Sequence, residues 1–502
     1  MRIKIYDGAE SIGGTKIYVE ENNEGVFLDF GVNFEKMNLY FKHYISRRAV
    51  RGIYDAIVLD ILPKIRIYRN DLIPHDLSIS NFEKINLKGV LVSHAHLDHF
   101  GEIGNIRFDV HIGGSPLTLL LIKAMQDCNH SSLIGDAIYS PVRKSRDDPR
   151  ILNAKNRSVG VRHLLLTERP NEKIIQFLCT IPSPTKKDEY EKNFKIGDMR
   201  TLPFEISAHP VDHSIYGACG YKLQGDTTIA YTGDIRLHGE NGDNTEEFAK
   251  RARDASVLII EGTRLSRKTH DYITEKDVKE KIRKEIDSAH GLVIVDFSSR
   301  NFERLKELLE ISPREVVITE KDAYMLYALQ QAGIDLLSKN TRVYRALRGK
   351  KEKWIEYLAD LINIDEIYVT PEEIRNNPEN FVLAFSLTDI SNLLDIKPKR
   401  GMYIYSSAEA LSEEQELDFV TLYNWLKKFN FQIRGFSWKG EGLVFEKGYH
   451  ASGHASPEDI RKIIEIVDPD KIIPVHTLNP QWFKQEFGKA AKIIKNGRGI
   501  SF

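Results

Sequence analysis

Three histidines and an aspartate lie within six residues of one another, directly after a short apolar run. His94, His96, Asp98 and His99 follow the apolar residues at 89–92, and only 16 histidines occur in the 502 residues of the chain. Imidazole and carboxylate groups on one rigid turn suit zinc or another borderline divalent ion. The spacing therefore predicts a metal site at the end of a buried strand, which two ions can share if further ligands arrive from elsewhere.

Length and charge restrict the remaining interpretations. A chain of 502 residues is too long for one ordinary core, so at least two compact units are expected. The 71 basic and 72 acidic residues nearly cancel, so any anion-binding site must be a local patch. Cys128, Cys179 and Cys219 show no paired or metal-type spacing, which favours a reducing compartment. Without a signal-like start or a membrane-length apolar run, we expect a cytoplasmic protein with no membrane contact.

The predicted pattern of helices and strands changes at about residue 264. Before it, the sequence reads as a β-meander over residues 1–30, a helix over 115–128, and a series of strands that includes residues 174–180 and 257–260. After it, helices and strands alternate, which predicts βαβ units and a parallel sheet. Short strands and histidines return after about residue 435.

Further polar groups follow apolar strands, where the backbone is fixed and side chains can converge. Asp29 could orient a ligand histidine through its second ring nitrogen. His213, with His209 as an alternative, could complete a three-histidine set with His94 and His96. Asp234 could bridge two ions, because a carboxylate has two oxygens. His476 would then complete the second site beside Asp98 and His99.

Glu261 and His454 are better suited to proton transfer than to metal binding. Glu261 ends a strand, and His454 lies in a glycine-containing turn with His450 and Ser452. A glutamate bonded to a histidine orients the imidazole and favours its protonated form, as a general acid requires. His450 and Ser452 could hydrogen-bond an anionic oxygen, although a polar turn before a helix would show the same residues.

Taken in order, these residues resemble the metallo-β-lactamase superfamily, and within it the β-CASP nucleases most similar to RNase J. The cluster at 94–99 with Asp29, His213 and Asp234 looks like the general superfamily motifs, while Glu261, His454 and His476 look like the added β-CASP motifs. The resemblance implies RNA phosphate contacts from the His450 loop and from a second segment. The expected phosphate-binding residues are His450, Ser452, Ser298, Ser299 and Asn301.

The resemblance also implies an α/β architecture. It consists of an αββα metallo-β-lactamase sandwich over residues 1–262 and 436–502, split by a β-CASP domain with a parallel sheet over 263–435. RNA would pass between the two domains. A histidine at 476 favours RNA, since DNA-directed relatives usually have valine there.

The resulting hypothesis is a metal-dependent ribonuclease that hydrolyses RNA with a hydroxide activated by two Zn²⁺ ions, with Mn²⁺ as the alternative metal. His94, His96 and His213 would hold one ion, and Asp98, His99 and His476 the other. Asp234 would bridge them, and His454, held by Glu261, would protonate the leaving oxygen. Single-stranded RNA is the expected partner, exonuclease and endonuclease action are both allowed, and a homodimer is left open.

Two other classes of function share part of this pattern. A DNA-directed nuclease or a small-molecule metallohydrolase would keep the metal residues, but the latter would need neither the long insertion nor the His450 loop. A non-catalytic scaffold would be expected to lose ligands. Basic residues at 342–351 and at 397–400 could bind phosphates or be solvated surface.

Overall fold

The first strand of the chain belongs to an eight-stranded sheet, and the histidine turn follows another strand of the same sheet. The computed structural model describes residues 1–42, 44–129, 133–145, 147–266, 273–407, 419–439 and 442–502. The predicted β-meander forms antiparallel pairs within this sheet, and the strand before the histidine turn joins it in parallel. In spatial order the strands are Arg498–Ser501, Arg2–Asp7, Lys16–Glu21, Glu24–Leu28, Leu87–Leu91, His111–Gly114, Leu164–Leu166 and Ile196–Asp198.

A five-stranded sheet lies against the first one. Its strands are, in spatial order, Glu205–Pro210, Cys219–Gln224, Ile229–Tyr231, Val257–Glu261 and Lys471–Val475. The last strand pairs in parallel with Val257–Glu261 although more than 200 residues separate them in sequence. The core between the sheets includes Ile3 and Leu28 from the first sheet and Tyr221 and Ile259 from the second. Helices cover both outer faces, so these layers form the expected α/β/β/α sandwich.

The region between the two sequence halves of the sandwich contains a seven-stranded sheet whose paired strands are all parallel. Its strands are, in spatial order, Tyr368–Val369, Thr341–Tyr344, Glu315–Ile318, Phe381–Leu383, Leu292–Asp296, Gly401–Tyr405 and Phe431–Arg434. The alternation of helices and strands correctly predicts this sheet. Two hairpins complete the strands: Tyr139–Lys144 with Asn153–Val161, and Phe436–Lys439 with Gly442–Phe445.

The division into domains at residues 262 and 435 remains a proposal. The hairpin at 436–445 packs Phe436 against Tyr405 and Phe419 of the seven-stranded region. This packing favours a second boundary that lies after residue 445 rather than at 435.

The helices of the described residues cover the outer sheet faces and connect the strands of the insertion. They are Phe34–Tyr40, Tyr54–Val58, Leu97–Phe100, Pro116–Asp127, Glu172–Cys179, Lys187–Asn193, Gly242–Arg251, Glu275–Ser288, Phe302–Ile311, Glu320–Gln331, Lys353–Leu361, Ile364–Ile367, Pro371–Asn376, Leu393–Ile396, Phe419–Lys428, Pro457–Val467 and Pro480–Phe487. None of these helices has the length and apolarity needed to cross a bilayer.

The strand predicted at 174–180 is wrong, because the structure has a helix, Glu172–Cys179, at this position. Asn171 caps it, with its Oδ1 atom accepting the Ile174 amide at 2.9 Å. Ile174, Phe177 and Leu178 are buried at helical spacing. A short apolar run fits both periods, and the asparagine cap was the signal for a helix.

Candidate metal centre and catalytic site

The turn that carries the histidine cluster is fixed against the N-terminal strands. Phe30 N donates to His99 O at 2.7 Å, and Val32 N donates to Leu97 O at 2.9 Å. A Cβ atom at Gly31 would lie 1.6 Å from the carbonyl oxygen of Asp98, so only glycine allows this approach. The ligand side chains therefore leave a rigid backbone.

Three imidazoles form one side of the cluster. His94 Nε2 lies 3.0 Å from His96 Nδ1, and His213 Nε2 lies 3.1 Å from the same atom. Nitrogens bonded tetrahedrally to zinc at 2.0–2.1 Å would be about 3.3 Å apart. Burial lowers the pKa of all three imidazoles, to about 4 for His213, so they are neutral and present lone pairs.

Carboxylates dominate the other side of the cluster. His476 Nε2 lies 3.1 Å from Asp98 Oδ2, and His99 Nε2 lies 3.5 Å from the same oxygen. Burial alone would lower the pKa of His99 and His476, but Asp234 and Asp98 outweigh it and raise both pKa values. The two carboxylates therefore favour positive charge on this side of the cluster.

Asp234 lies between the two sides. Its Oδ2 atom is 3.2 Å from His99 Nε2, 3.7 Å from His94 Nε2 and 3.9 Å from the Nε2 atoms of His213 and His476. The candidate ligand atoms form three groups within 4.8 Å: His94 with His96 and His213, Asp98 with His99, Asp234 and His476, and Asp234 with Glu261, His454 and His476. This is the arrangement expected of a bridging carboxylate.

The donor set fits a pair of divalent ions. His99 Nε2 is buried, makes no hydrogen bond among the described residues, and faces Asp234. A buried imidazole nitrogen without a partner is costly unless another group binds it. Neutral imidazoles on one side and carboxylates on the other are the ligands that zinc and manganese accept.

The structure brings Asp29 against His99. Its Oδ2 atom lies 2.7 Å from His99 Nδ1, which leaves Nε2 directed at the cluster. Tyr231 Oη and Ser93 Oγ donate to the same oxygen at 2.6 and 2.7 Å. Asp29 has a left-handed backbone (φ 59°), an uncommon conformation that its network of hydrogen bonds holds in place.

His476, which directly follows the strand Lys471–Val475, is held in place in a similar way. It also adopts a left-handed backbone (φ 50°), and its amide donates to Gly8 O at 2.6 Å. Its Nδ1 atom lies 2.9 Å from Thr263 Oγ1, which again leaves Nε2 for the cluster. Sequence reasoning missed Tyr231 and Thr263, because a hydroxyl after a strand carries no distinctive signal.

The structure brings Glu261 and His454 together. Glu261 Oε1 lies 3.1 Å from His454 Nδ1 and accepts the Ile235 amide at 3.0 Å, and its Oε2 atom accepts the Thr263 amide at 3.1 Å. Burial would raise the pKa of Glu261, but His454 outweighs burial and lowers it. The carboxylate is therefore ionised and can stabilise an imidazolium. His454 Nδ1 also lies 3.8 Å from Asp234 Oδ2, so the pair borders the metal cluster.

The predicted phosphate-binding residues lie in two segments. Ser298, Ser299 and Asn301 follow the strand Leu292–Asp296, and Asn301 Oδ1 caps the next helix by accepting the Arg304 amide at 2.9 Å. Ser452 Oγ accepts the His454 amide at 3.2 Å, so this serine also shapes the catalytic turn. His450, two residues before it, is half-buried. Their contact with RNA remains a prediction.

Arg300 is a residue whose position the sequence did not reveal. It lies close enough for its charge to lower the pKa of His96, after burial and His213. With Ser299 it lines a cavity of about 270 Å³, whose opposite wall includes Met125 and Cys128 of the sandwich. The cavity therefore lies between the sandwich and the insertion.

Other candidates from the sequence lie outside the cluster. His209 is in the strand Glu205–Pro210, where its Nε2 atom lies 3.3 Å from Ser207 Oγ. In the basic segment at 342–351, Arg342 pairs with Glu315 and Arg348 with Glu320. Because these arginines already pair with glutamates, they are less available to bind a phosphate.

One family model matches the C-terminal part of the chain, which contributes to this site. Residues 446–493, which include His454 and His476, match the RMMBL family, described as a Zn-dependent metallo-hydrolase RNA specificity domain. Together with the sandwich, the inserted parallel sheet and the candidate ligand cluster, this match supports the resemblance of the chain to the β-CASP nucleases of the metallo-β-lactamase superfamily.

Within this class, the sequence is similar to ribonuclease J. The Pyrococcus abyssi protein is 23% identical over 94% of this chain and 89% of its own length. The Methanocaldococcus jannaschii protein is 21% identical over 99% of this chain and 97% of its own length. A crystal structure of a protein of unknown function from Enterococcus faecalis V583 has the same fold, with a TM-score of 0.69, 20% identity, and coverage of 100% of this chain and 99% of that one.

Proposed function

We propose that the chain is a metal-dependent ribonuclease that hydrolyses RNA phosphodiester bonds. The observation that carries the proposal is the convergence of seven ligand-type side chains, Asp234 among them, with the Glu261–His454 pair at their edge. The similarity to ribonuclease J along nearly the whole chain favours RNA as the substrate.

Two divalent ions, with zinc or manganese as the metal, are the proposed cofactor. His94, His96 and His213 would hold one ion, Asp98, His99 and His476 the other, and Asp234 would contact both. When bound, such ions supply a nucleophile from water near neutral pH and offset the negative charge that develops on the phosphate.

The other side chains bind the substrate and move one proton. Glu261 keeps His454 oriented through Nδ1, so the proton for the leaving oxygen is given from Nε2 on the opposite edge of the ring. Ser298, Ser299, Asn301, His450 and Ser452 are the proposed phosphate contacts; Asn301 would use Nδ2, because its Oδ1 atom caps a helix. RNA would enter beside Arg300, between the sandwich and the insertion.

The test compares His454→Ala with the wild-type protein on 5′-monophosphate RNA, 5′-triphosphate RNA and single-stranded DNA, with metal analysis of both proteins. We expect RNA to be cleaved and the turnover of His454→Ala to fall about 100-fold with its metal content retained. His209→Ala is the matched control and should keep wild-type turnover. Full activity of His454→Ala would overturn the catalytic assignment, and cleavage of DNA alone would overturn the substrate class.

A further inference from the structure

A basic groove of about 540 Å³ lies at the edge of the eight-stranded sheet, away from the metal ligands. Four cationic side chains line it: Lys484, Lys492, Lys495 and Arg498. The other lining residues are uncharged, and Ile493 and Ile500 form part of its surface. A concave surface with charge of one sign concentrates its field and attracts counter-ions.

The four cations have no acidic partner within the part of the chain that the structure describes, since no ion pair within 4.0 Å involves them. The single acidic residue of the adjoining helix Pro480–Phe487, Glu486, pairs with Arg461 at 2.8 Å. Arg348 of the basic segment at 342–351 differs from these four cations, because it pairs with Glu320 at 2.7 Å. No ion pair at this distance therefore competes with an external anion for the four cationic side chains.

The loop at 7–14 contacts both the segment that lines the groove and the candidate metal centre. On the groove side, Asn496 Oδ1 accepts the Ala9 amide at 3.0 Å, and Asn496 lies between Lys495 and Arg498 in the chain. On the other side, Gly8 O accepts the amide of His476 and Gly14 N donates to Asp98 O at 3.1 Å. The neighbouring residues Gly8 and Ala9 therefore join the groove segment to the backbone of His476, which places the groove close enough to the candidate metal centre for one extended polyanion.

We propose that this groove binds the phosphodiester backbone of single-stranded RNA, in a part of the substrate that flanks the cleaved bond. This inference rests on the proposed ribonuclease function. No aromatic side chain lines the groove among the described residues, so bases have no stacking platform and binding is independent of sequence and sensitive to salt. The concave shape favours a flexible strand over a flat anionic membrane.

The experiment uses the full chain with Lys492→Glu and Lys495→Glu combined. The matched control combines Lys427→Glu and Lys428→Glu, which change the same charge on exposed positions of the helix Phe419–Lys428. Both proteins are assayed on an RNA of about 20 nucleotides and on one of about 4, which is too short to fill both sites. Equilibrium binding of the longer RNA is measured alongside as a function of salt.

We expect the groove variant to lose about tenfold in kcat/KM and in affinity for the longer RNA and to match the wild type on the shorter one. Because two phosphate contacts are lost, the slope of log affinity against log salt should fall by about 1.4. Lys492→Gln with Lys495→Gln, a milder change to the same positions, should lose a smaller part of the affinity.

Three results would overturn the inference. They are equal losses on both RNAs, an equal loss in the control variant, and unchanged affinity and salt slope for the longer RNA. Binding of phosphatidylserine vesicles that the groove variant abolishes, with RNA affinity unchanged, would assign the groove to a membrane surface instead. If the wild-type protein cleaves no RNA, the proposed function fails, and the binding measurement still decides the groove.

Discussion

Glu261 and Asp296 are each the last residue of a buried parallel strand, Glu261 in the five-stranded sheet and Asp296 in the seven-stranded one. Both are almost fully buried. Burial would raise the pKa of Glu261, but His454 lowers it. Burial raises the pKa of Asp296 to about 7, with Asp389 adding to the shift and the Tyr403 hydroxyl opposing it. The same position in a strand thus gives an anion in one sheet and a largely neutral acid near pH 6 in the other.

The partners explain the difference. Glu261 receives two backbone amides and a histidine, which together replace the hydration of its charge. Asp296 receives the Tyr403 hydroxyl and faces a like charge at Asp389. A carboxylate at a strand end is prepared for catalysis only where donors surround it, so position in the fold alone does not define an active site.

The largest expected effect comes from comparing the two variants Glu261→Gln and Asp296→Asn, each of which replaces a strand-end carboxylate by an amide. We expect Glu261→Gln to lower kcat by about 10²- to 10³-fold, because a neutral amide no longer stabilises the protonated His454. The alkaline limb of the kcat–pH profile should move to lower pH, whereas Asp296→Asn should stay within about twofold of the wild type. Loss of bound metal in proportion to the loss of activity would show that Glu261 is structural.

A second prediction concerns stability. The pKa of Asp296 is raised on folding, so folded and unfolded chains bind this proton equally below pH 4, and stability falls as the pH rises from about 4 to 7. Asp296→Asn removes this penalty, so it should stabilise the protein by roughly 2–4 kcal/mol at pH 9 and change little at pH 4. Urea unfolding monitored by tryptophan fluorescence suits the test, because Trp354, Trp425 and Trp438 lie in or against the seven-stranded region. Equal effects at both pH values would contradict the assignment.

The smallest expected effect belongs to Tyr403→Phe, which removes the hydroxyl that donates to Asp296. The buried acid then loses a partner, so we expect a destabilisation of about 1–2 kcal/mol at pH 5. Combining Tyr403→Phe with Asp296→Asn should give a total that differs from the sum of the single effects, because the residues are in contact. Additive effects in the urea midpoints would show that the bond contributes nothing.

Sequence reasoning selected the side chains that the structure brings together in the candidate metal centre, because each of them follows an apolar strand whose end is easy to recognise. His94, His213 and His476 come from distant parts of the chain, yet residue type and strand context identified all three as candidates. The parallel sheet after residue 264 was visible for a similar reason, since alternating helices and strands leave few other topologies.

The remaining features depend on packing that a single sequence does not reveal. The run at 174–180 was read as a strand, because its apolar residues fit both periods and its burial depends on neighbouring helices. Tyr231 and Thr263 orient ligands through hydroxyl groups that look ordinary in sequence. The charge state of Glu261 and of Asp296 is set by partners far along the chain, so the sequence does not distinguish these two strand ends.

Asp98 and His476 meet across 378 positions of the chain, and this separation has a consequence for how the protein is made. A growing chain already carries His94, His96, His213 and Asp234 while it still lacks His454 and His476. It can present the three-histidine side of the candidate metal centre, but it has neither the proposed acid nor the last proposed ligand. On the proposed assignment, a nuclease synthesised from its N-terminus would stay inactive until translation of its own messenger is nearly finished.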